Sequence, residues 1–109
     1  MRHQLATNSK KLFEEIEHFM NQRGVSGESL QQLIGIAVAV LHKHEFFDFR
    51  HTQVELVEDE SEQCFCYTIK VKRSMAEVID LNYELAREIA KSGLPTSLTL
   101  NFVPMYEVA

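Results

Sequence analysis

The pattern of apolar and polar positions is most informative between residues 74 and 103. Ser74 is followed three residues later by Glu77, which is the capping box that begins many helices. Gly93 and Pro95 are typical of a helix end. Between these signals, apolar residues recur at three- and four-residue steps and predict one buried helix face, made of Val78, Leu81, Leu85 and Ile89.

Alternating segments predict a strand on each side of this helix. Before it, the segment from Cys64 to Lys72 alternates, with Phe65 and Ile69 among the residues of its apolar face. After it, Leu98, Leu100 and Phe102 alternate with polar residues, and Pro104 is expected to end that strand. A strand, helix, strand unit crosses over right-handed, so these two strands are expected to be parallel.

Two helices are predicted in the N-terminal half, after a polar segment at residues 1–8 that is loose or partly helical. The first begins at Ser9 and ends at Gly24. The second begins after a Ser26 cap and runs to about residue 44, and residues 33–41 are apolar on nearly all sides. Such a helix is covered on more than one side. Gly35 in its middle predicts a backbone or ring packed against it.

A third strand is predicted from His51 to Val57, followed by an acidic turn at residues 58–62 and a hairpin with the segment from Cys64 to Lys72. The fold class is therefore α+β, in one domain of residues 1–109. Two N-terminal helices precede β-β-α-β, a small three-stranded, mostly antiparallel sheet with helices packed on one face. The last strand can lie beside either strand of the hairpin, and the pattern does not choose between these two orders.

Composition narrows the range of partners. The chain has 109 residues, enough for one domain, and a net charge of −5, which repels the phosphate backbone, so nucleic acid is not expected as a partner. Residues 1–11 lack a signal-peptide pattern, and the apolar run 33–41 is shorter than the roughly 20 residues that span a bilayer. These features predict a cytoplasmic protein that does not enter a membrane.

Histidine and cysteine cluster in the middle of the chain, and both are zinc ligands. His42, His44 and His51 are close in sequence, and Cys64 and Cys66 follow on one face of a strand. Neither pair has the spacing of a zinc site, so no metal is predicted. Two cysteines that point the same way in a strand rarely form a disulfide. No dinucleotide fingerprint or nucleophile elbow occurs, and no cofactor is expected.

A basic segment immediately precedes the capped N-terminus of the helix that follows Ser74. Lys70, Lys72 and Arg73 bring three cations to a helix end whose free amides and dipole favour negative charge. One hypothesis is therefore a small enzyme or binding protein for an anionic, phosphate- or carboxylate-bearing ligand at these residues and Ser74.

An apolar surplus supports a different hypothesis, a non-enzymatic protein-interaction or accessory domain. The second helix and the phenylalanines after it carry more apolar surface than a small chain needs for its own core, and such a surplus often marks a subunit interface. A homodimer is the favoured arrangement, and another protein is a possible partner. The predicted interface residues are Ile34, Val38, Phe46, Phe47 and Phe49.

Overall fold

The structure is a computed structural model, which describes the backbone of residues 2–4, 9–47, 52–58 and 63–109 and the side chains of residues 14–47, 52–57 and 63–109. It is an α+β fold in which two helices precede strand, strand, helix, strand, as predicted. Its elements are β1 (Arg2–Gln4), α1 (Ser9–Asn21), α2 (Gly27–Lys43), β2 (Thr52–Glu58), β3 (Gln63–Val71), α3 (Met75–Ser92), α4 (Thr96–Thr99) and β4 (Phe102–Val108).

The strands form one mixed sheet in the order β1-β2-β3-β4. The pairs β1–β2 and β2–β3 are antiparallel, and β3–β4 is parallel. The last strand therefore lies beside the second strand of the hairpin, which decides between the two orders that the sequence left open, and the predicted parallel direction of these two strands is confirmed. The prediction that residues 1–8 are loose or partly helical was wrong for residues 2–4, which add a short edge strand to the three predicted ones.

Helix α3 begins and ends where the sequence indicates. The Ser74 hydroxyl accepts a hydrogen bond from the Glu77 backbone amide at 3.2 Å, and Gly93 ends the helix with a left-handed φ of 72°. The Glu77 carboxylate accepts from the Ser74 hydroxyl at 3.2 Å, whereas a capping box would have it accept from the Ser74 amide. Val78, Leu81 and Leu85 are buried beneath the helix.

The predicted position of the last strand was wrong. Leu98 is fully buried in the short helix α4, whereas Leu100 is 72% exposed, so the two do not share a strand face. Strand β4 starts at Phe102 and runs through Pro104. Two backbone hydrogen bonds join the ends of β3 and β4: the Phe65 amide donates to the Asn101 carbonyl, and the Ala109 amide donates to the Val71 carbonyl. Since alternate residues of a strand bond to the same neighbour, the odd-numbered residues of β4 bond to β3 and the even-numbered ones face the outer edge. Pro104 faces the outer edge, where its missing N–H removes no bond from the sheet.

The core divides into two clusters along α2, because this helix is buried at both ends. Leu30 and Leu33 pack with α1, Phe65 and Phe102, whereas Ala37 and the residues after it pack with α3 and β4. The buried residues of α2 all lie within one arc of about 100°, and Gly35 and Ala39 on the opposite side are exposed, so the prediction that its own chain covers this helix on more than one side was wrong. The expected contact at Gly35 was wrong, since no atom lies within 4 Å of the place where a Cβ would stand.

The described helices pack on one face of the sheet, as predicted. Core residues of the sheet alternate along their strands, with Phe65 and Ile69 of β3 beside Phe102 and Tyr106 of β4. The opposite face carries Cys66 and Thr68 on β3, which are 8% and 5% exposed. None of the helices in the described segments is both long and apolar enough to cross a membrane.

Candidate interaction surface

Three of the four residues predicted to bind an anion have side-chain partners within the chain, whereas the Lys72 side chain is exposed and forms no ion pair with the described residues. Lys70 Nζ lies 2.6 Å from Oε2 of Glu107, its neighbour in register on β4. Arg73 Nε lies 3.7 Å from Oε2 of Glu77, and its guanidinium also donates to the Lys72 carbonyl. The hydroxyl of Ser74, the fourth residue, serves the helix cap. Lys70 is thus turned toward β4, away from the cap that Arg73 adjoins.

The histidines are not gathered into one site. The His42 ring packs against Phe47 with centroids 5.0 Å apart, and His44 Nε2 lies 3.2 Å from the Glu84 carboxylate. His51 lies outside the described residues. Among the residues that are described, no group of three or more histidine, cysteine or acidic side chains is placed to hold a metal ion.

The two cysteines lie two residues apart on the sheet face opposite the helices. Neither Cys64 nor Cys66 is in a disulfide. In a strand, successive side chains of one face point the same way about 7 Å apart, which leaves the two sulfurs poorly placed for a bond.

The interface residues predicted on and after α2 differ in exposure. Phe46 is 9% exposed and belongs to the core beneath α3, so its ring is already packed within the chain. Ile34 and Val38 are half-buried. Phe47 is 65% exposed. Phe49 lies outside the described residues, so Phe47 offers the most surface of those that are described.

The free edge of β4 is closed against a further strand. Asn82 of α3 uses both ends of its amide on Tyr106, since its Nδ2 donates to the Tyr106 carbonyl and its Oδ1 accepts from the Tyr106 amide, each at 2.9 Å. Pro104, two residues earlier on the same edge, has no N–H to offer. An edge strand whose backbone groups are occupied does not readily pair with another chain. On this side of the molecule, the surface of α3 is therefore more accessible to a partner than the edge of β4.

Tyr106 connects three elements: its backbone bonds to Asn82 of α3, and its side chain bonds to α2. The Tyr106 hydroxyl donates to the Ala37 carbonyl of α2 at 2.6 Å, and the residue is 2% exposed. Burial and the nearby charge of Glu84 both raise the pKa of Tyr106. The phenol is therefore protonated at neutral pH, and its hydrogen bond to the Ala37 carbonyl holds α2 against β4.

A second apolar face of α3 is exposed. Consecutive helical residues are about 100° apart around the axis. When the residues of α3 are placed by this angle, six residues fall within an arc of about 100° next to the buried face, and none of the six is charged. Met75 and Tyr83 are 64% and 65% exposed there, and Ile79 is 47% exposed. We call this set the outer face of α3; it consists of Met75, Ala76, Ile79, Tyr83, Ala86 and Ala90, all exposed.

Charged residues border the outer face on one side. Arg87 and Asp80 come first around the helix, and Glu84 lies further on, where it accepts the ion pairs of Lys43 and His44. Within the described parts of the chain, neither Asp80 nor Arg87 forms an ion pair. On its other side the outer face borders Asn82 and the edge of β4. One helix thus carries a buried face, an exposed apolar face and a charged face.

Two depressions flank the outer face. One is an apolar groove of about 270 Å³ on the β4 side, whose walls include Ala86, Ile89, Phe102 and Pro104. The other is a cleft of about 400 Å³ on the charged side, whose walls include His44, Arg73, Asp80, Tyr83 and Arg87. The cleft also contains Glu77 and Glu84. Acidic and basic groups are therefore mixed in it, which does not favour an anion over a cation.

The sequence contains a signal for the outer face in addition to the signal for the buried face. Ile79 and Tyr83 follow Met75 at four-residue steps, beside a stripe already assigned to the core. Plotting the whole helix by angle separates the two apolar arcs, because the charged residues occupy the remaining side.

Comparison of the chain with protein-family models, with curated proteins and with solved structures finds no match.

Proposed function

We propose that the chain is a non-enzymatic protein-interaction domain that forms a homodimer through the outer face of α3. The supporting observation is the exposure of Met75, Ile79 and Tyr83 in one uncharged stripe of a long helix. Contiguous exposed apolar surface on a small domain is typical of a site that another protein covers. The closed edge of β4 supports a helix-mediated contact, because strand addition on this side is blocked by Asn82 and Pro104.

The size of the stripe supports a weak dimer. Full burial of one large apolar side chain is worth roughly 1.5–3 kcal/mol. Met75, Ile79 and Tyr83 each keep about half or more of that surface in water. A symmetric dimer buries each of them twice, which supplies roughly 5–9 kcal/mol. Because association itself costs at least about 4 kcal/mol, the net gain is at most about 5 kcal/mol, which corresponds to a dissociation constant no tighter than roughly 0.2 mM.

The anion-binding alternative receives less support. Lys70 and Arg73 already face Glu107 and Glu77, and the nearby cleft mixes both signs of charge. An anion bound at the N-terminus of α3 would compete with the Glu77 carboxylate for the same positive helix end. The interaction domain is therefore the function we propose.

Molecular mass as a function of concentration tests the proposal. By sedimentation equilibrium from about 0.01 to 2 millimolar, the wild-type mass should rise from 12.6 kDa toward twice that value. Ile79→Glu places a charge in the centre of the outer face and should remain monomeric throughout. Leu100→Glu is the matched control, because Leu100 is 72% exposed but lies outside α3. It should dimerise like the wild type.

Two results would contradict the proposal. A wild-type mass that stays at the monomer value over the whole range removes the dimer. Dimerisation of Ile79→Glu as strong as that of the wild type shows that the contact lies elsewhere. Far-UV circular dichroism of each variant checks that the fold is intact, which is expected because both positions are exposed.

A further inference from the structure

We propose that the two copies join with their α3 helices antiparallel and that Asp80 and Arg87 select this arrangement. The inference rests on the proposed function, because it specifies the partner surface and the orientation of the same dimer. It follows from the order of large, small and charged residues along the outer face.

The outer face has the spacing of a helix-pair seam. Ala76, Ile79, Tyr83, Ala86 and Ala90 are separated by alternating steps of three and four residues, and this spacing lets two helices pack side by side. The large residues lie in the N-terminal half and the centre of the seam, and the small ones extend through its C-terminal half. A parallel copy would place Ile79 against Ile79 and leave alanines opposite alanines.

An antiparallel copy centred on Tyr83 matches large residues with small ones. Ile79 then faces Ala86 of the second copy, and the same contact occurs again on the other side of the two-fold axis. The two Tyr83 rings meet near the axis. Ala76 and Ala90 approach each other at the ends, where Met75 covers the contact. Alternation of large and small residues across facing positions is what allows side chains to interdigitate.

The charged border of the outer face favours the antiparallel over the parallel orientation of the two helices. Asp80 and Arg87 each follow a seam residue by one position, so both lie on the same border of the outer face. In an antiparallel pair related by a two-fold axis, each border of one helix contacts the same border of the second copy, which runs in the opposite direction. Asp80 of one copy then lies opposite Arg87 of the other, twice per dimer. In a parallel pair this border would meet Asn82 and Ile89, which carry no charge.

The state of these two residues in the single chain is consistent with a second copy as the occupant. In the part of the chain that the structure describes, neither Asp80 nor Arg87 has an ionic partner, whereas their neighbours Glu84 and Glu77 do. A second copy supplies both missing partners from the same two positions. The antiparallel arrangement also sets the helix dipoles in opposition.

Complementary charge reversal tests the arrangement. Asp80→Arg alone places two arginines opposite each other, and Arg87→Asp alone places two aspartates opposite each other. Each single variant should dissociate about tenfold more readily than the wild type. Mixing the two restores both pairs, so native mass spectrometry of an equimolar mixture should show mainly the heterodimer. The double variant D80R/R87D should dimerise like the wild type.

The controls separate this inference from the proposed function. Glu15→Arg reverses an exposed charge on α1 and should not change the dissociation constant. If Ile79→Glu abolishes the dimer but the charge variants mix statistically, the antiparallel arrangement is wrong and the outer-face dimer stands. If the wild type is monomeric at every concentration, both are wrong. Preferential heterodimer in the mixture, with recovery in the double variant, supports the arrangement.

Discussion

Replacing Tyr106 with phenylalanine removes one hydroxyl from the layer between the sheet and α2. That hydroxyl donates to the Ala37 carbonyl at 2.6 Å, and the residue is 2% exposed. The ring remains, so the change creates no large cavity. The loss of one buried hydrogen bond, together with the less satisfied carbonyl, predicts a decrease of about 1–2 kcal/mol in the free energy of unfolding at pH 7.

The same substitution changes the pH dependence of stability. Burial and Glu84 raise the pKa of Tyr106 above its usual value near 10, so the folded state keeps the proton that the unfolded state loses. The stabilisation is complete below pH 10 and declines as pH rises above it, by about 1.4 kcal/mol per pH unit for one proton. Tyr106→Phe should remove this contribution. Burial raises the pKa of Tyr67 in the same direction, so part of the alkaline decline should remain.

Urea denaturation followed by circular dichroism at pH 7 and between about pH 9 and 11 measures both effects. The control is Tyr83→Phe at about 5 micromolar protein, where the chain is monomeric, because Tyr83 is 65% exposed and its change should alter the free energy of unfolding by less than about 0.5 kcal/mol. The reasoning is refuted if Tyr106→Phe is as stable as the wild type at pH 7. It is also refuted if the alkaline slopes of the two proteins are identical.

Two glycine substitutions should change stability in opposite directions. Gly35→Ala should raise the free energy of unfolding by about 0.5–1 kcal/mol, because Gly35 is inside α2 with open space around its Cα. Gly93→Ala should lower it by about 1 kcal/mol, because Gly93 ends α3 with a φ of 72° that alanine adopts only with strain. The midpoints of thermal unfolding check both, and a decrease for Gly35→Ala would mean that its side of α2 is covered by another surface.

The sequence was sufficient to predict the segments in which several independent signals coincide. Helix α3 has a serine cap, an apolar stripe and a glycine end, and all three were found in the structure. Strand β3 has a regular alternation, and its parallel direction relative to β4 follows from the helical crossover between them, although the sequence did not decide that the two strands are neighbours. In these segments the local preferences and the tertiary packing favour the same conformation.

Where the prediction failed, one local pattern fitted two structures. Leu98 and Leu100 alternate with polar residues, but the step from Leu98 to Phe102 also suits one turn of helix followed by a strand. Pro104 was interpreted as a strand end because the sequence does not reveal that β4 is an edge. Only the order of strands shows that its missing N–H faces away from β3.

The candidate site was harder to predict than the fold. The apolar surplus was assigned to α2 and the phenylalanines after it, but Phe46 is buried in the intramolecular core and the exposed stripe lies on α3. Sequence alone does not show how much of an apolar helix its own chain will cover, because this depends on the width of the sheet beneath it. Asn82 is a further example, since its contact with Tyr106 joins residues 24 positions apart.

Photo-crosslinking from position 83 tests most directly whether the outer face of α3 binds the same face of a second copy. p-Benzoylphenylalanine in place of Tyr83 lies at the centre of the face and, on irradiation, bonds to the nearest C–H groups. We expect a covalent dimer whose crosslinked peptide maps to residues 75–92 of the second chain. A crosslink that maps to any other segment, or the absence of a covalent dimer after complete photolysis at about 2 millimolar protein, would contradict it.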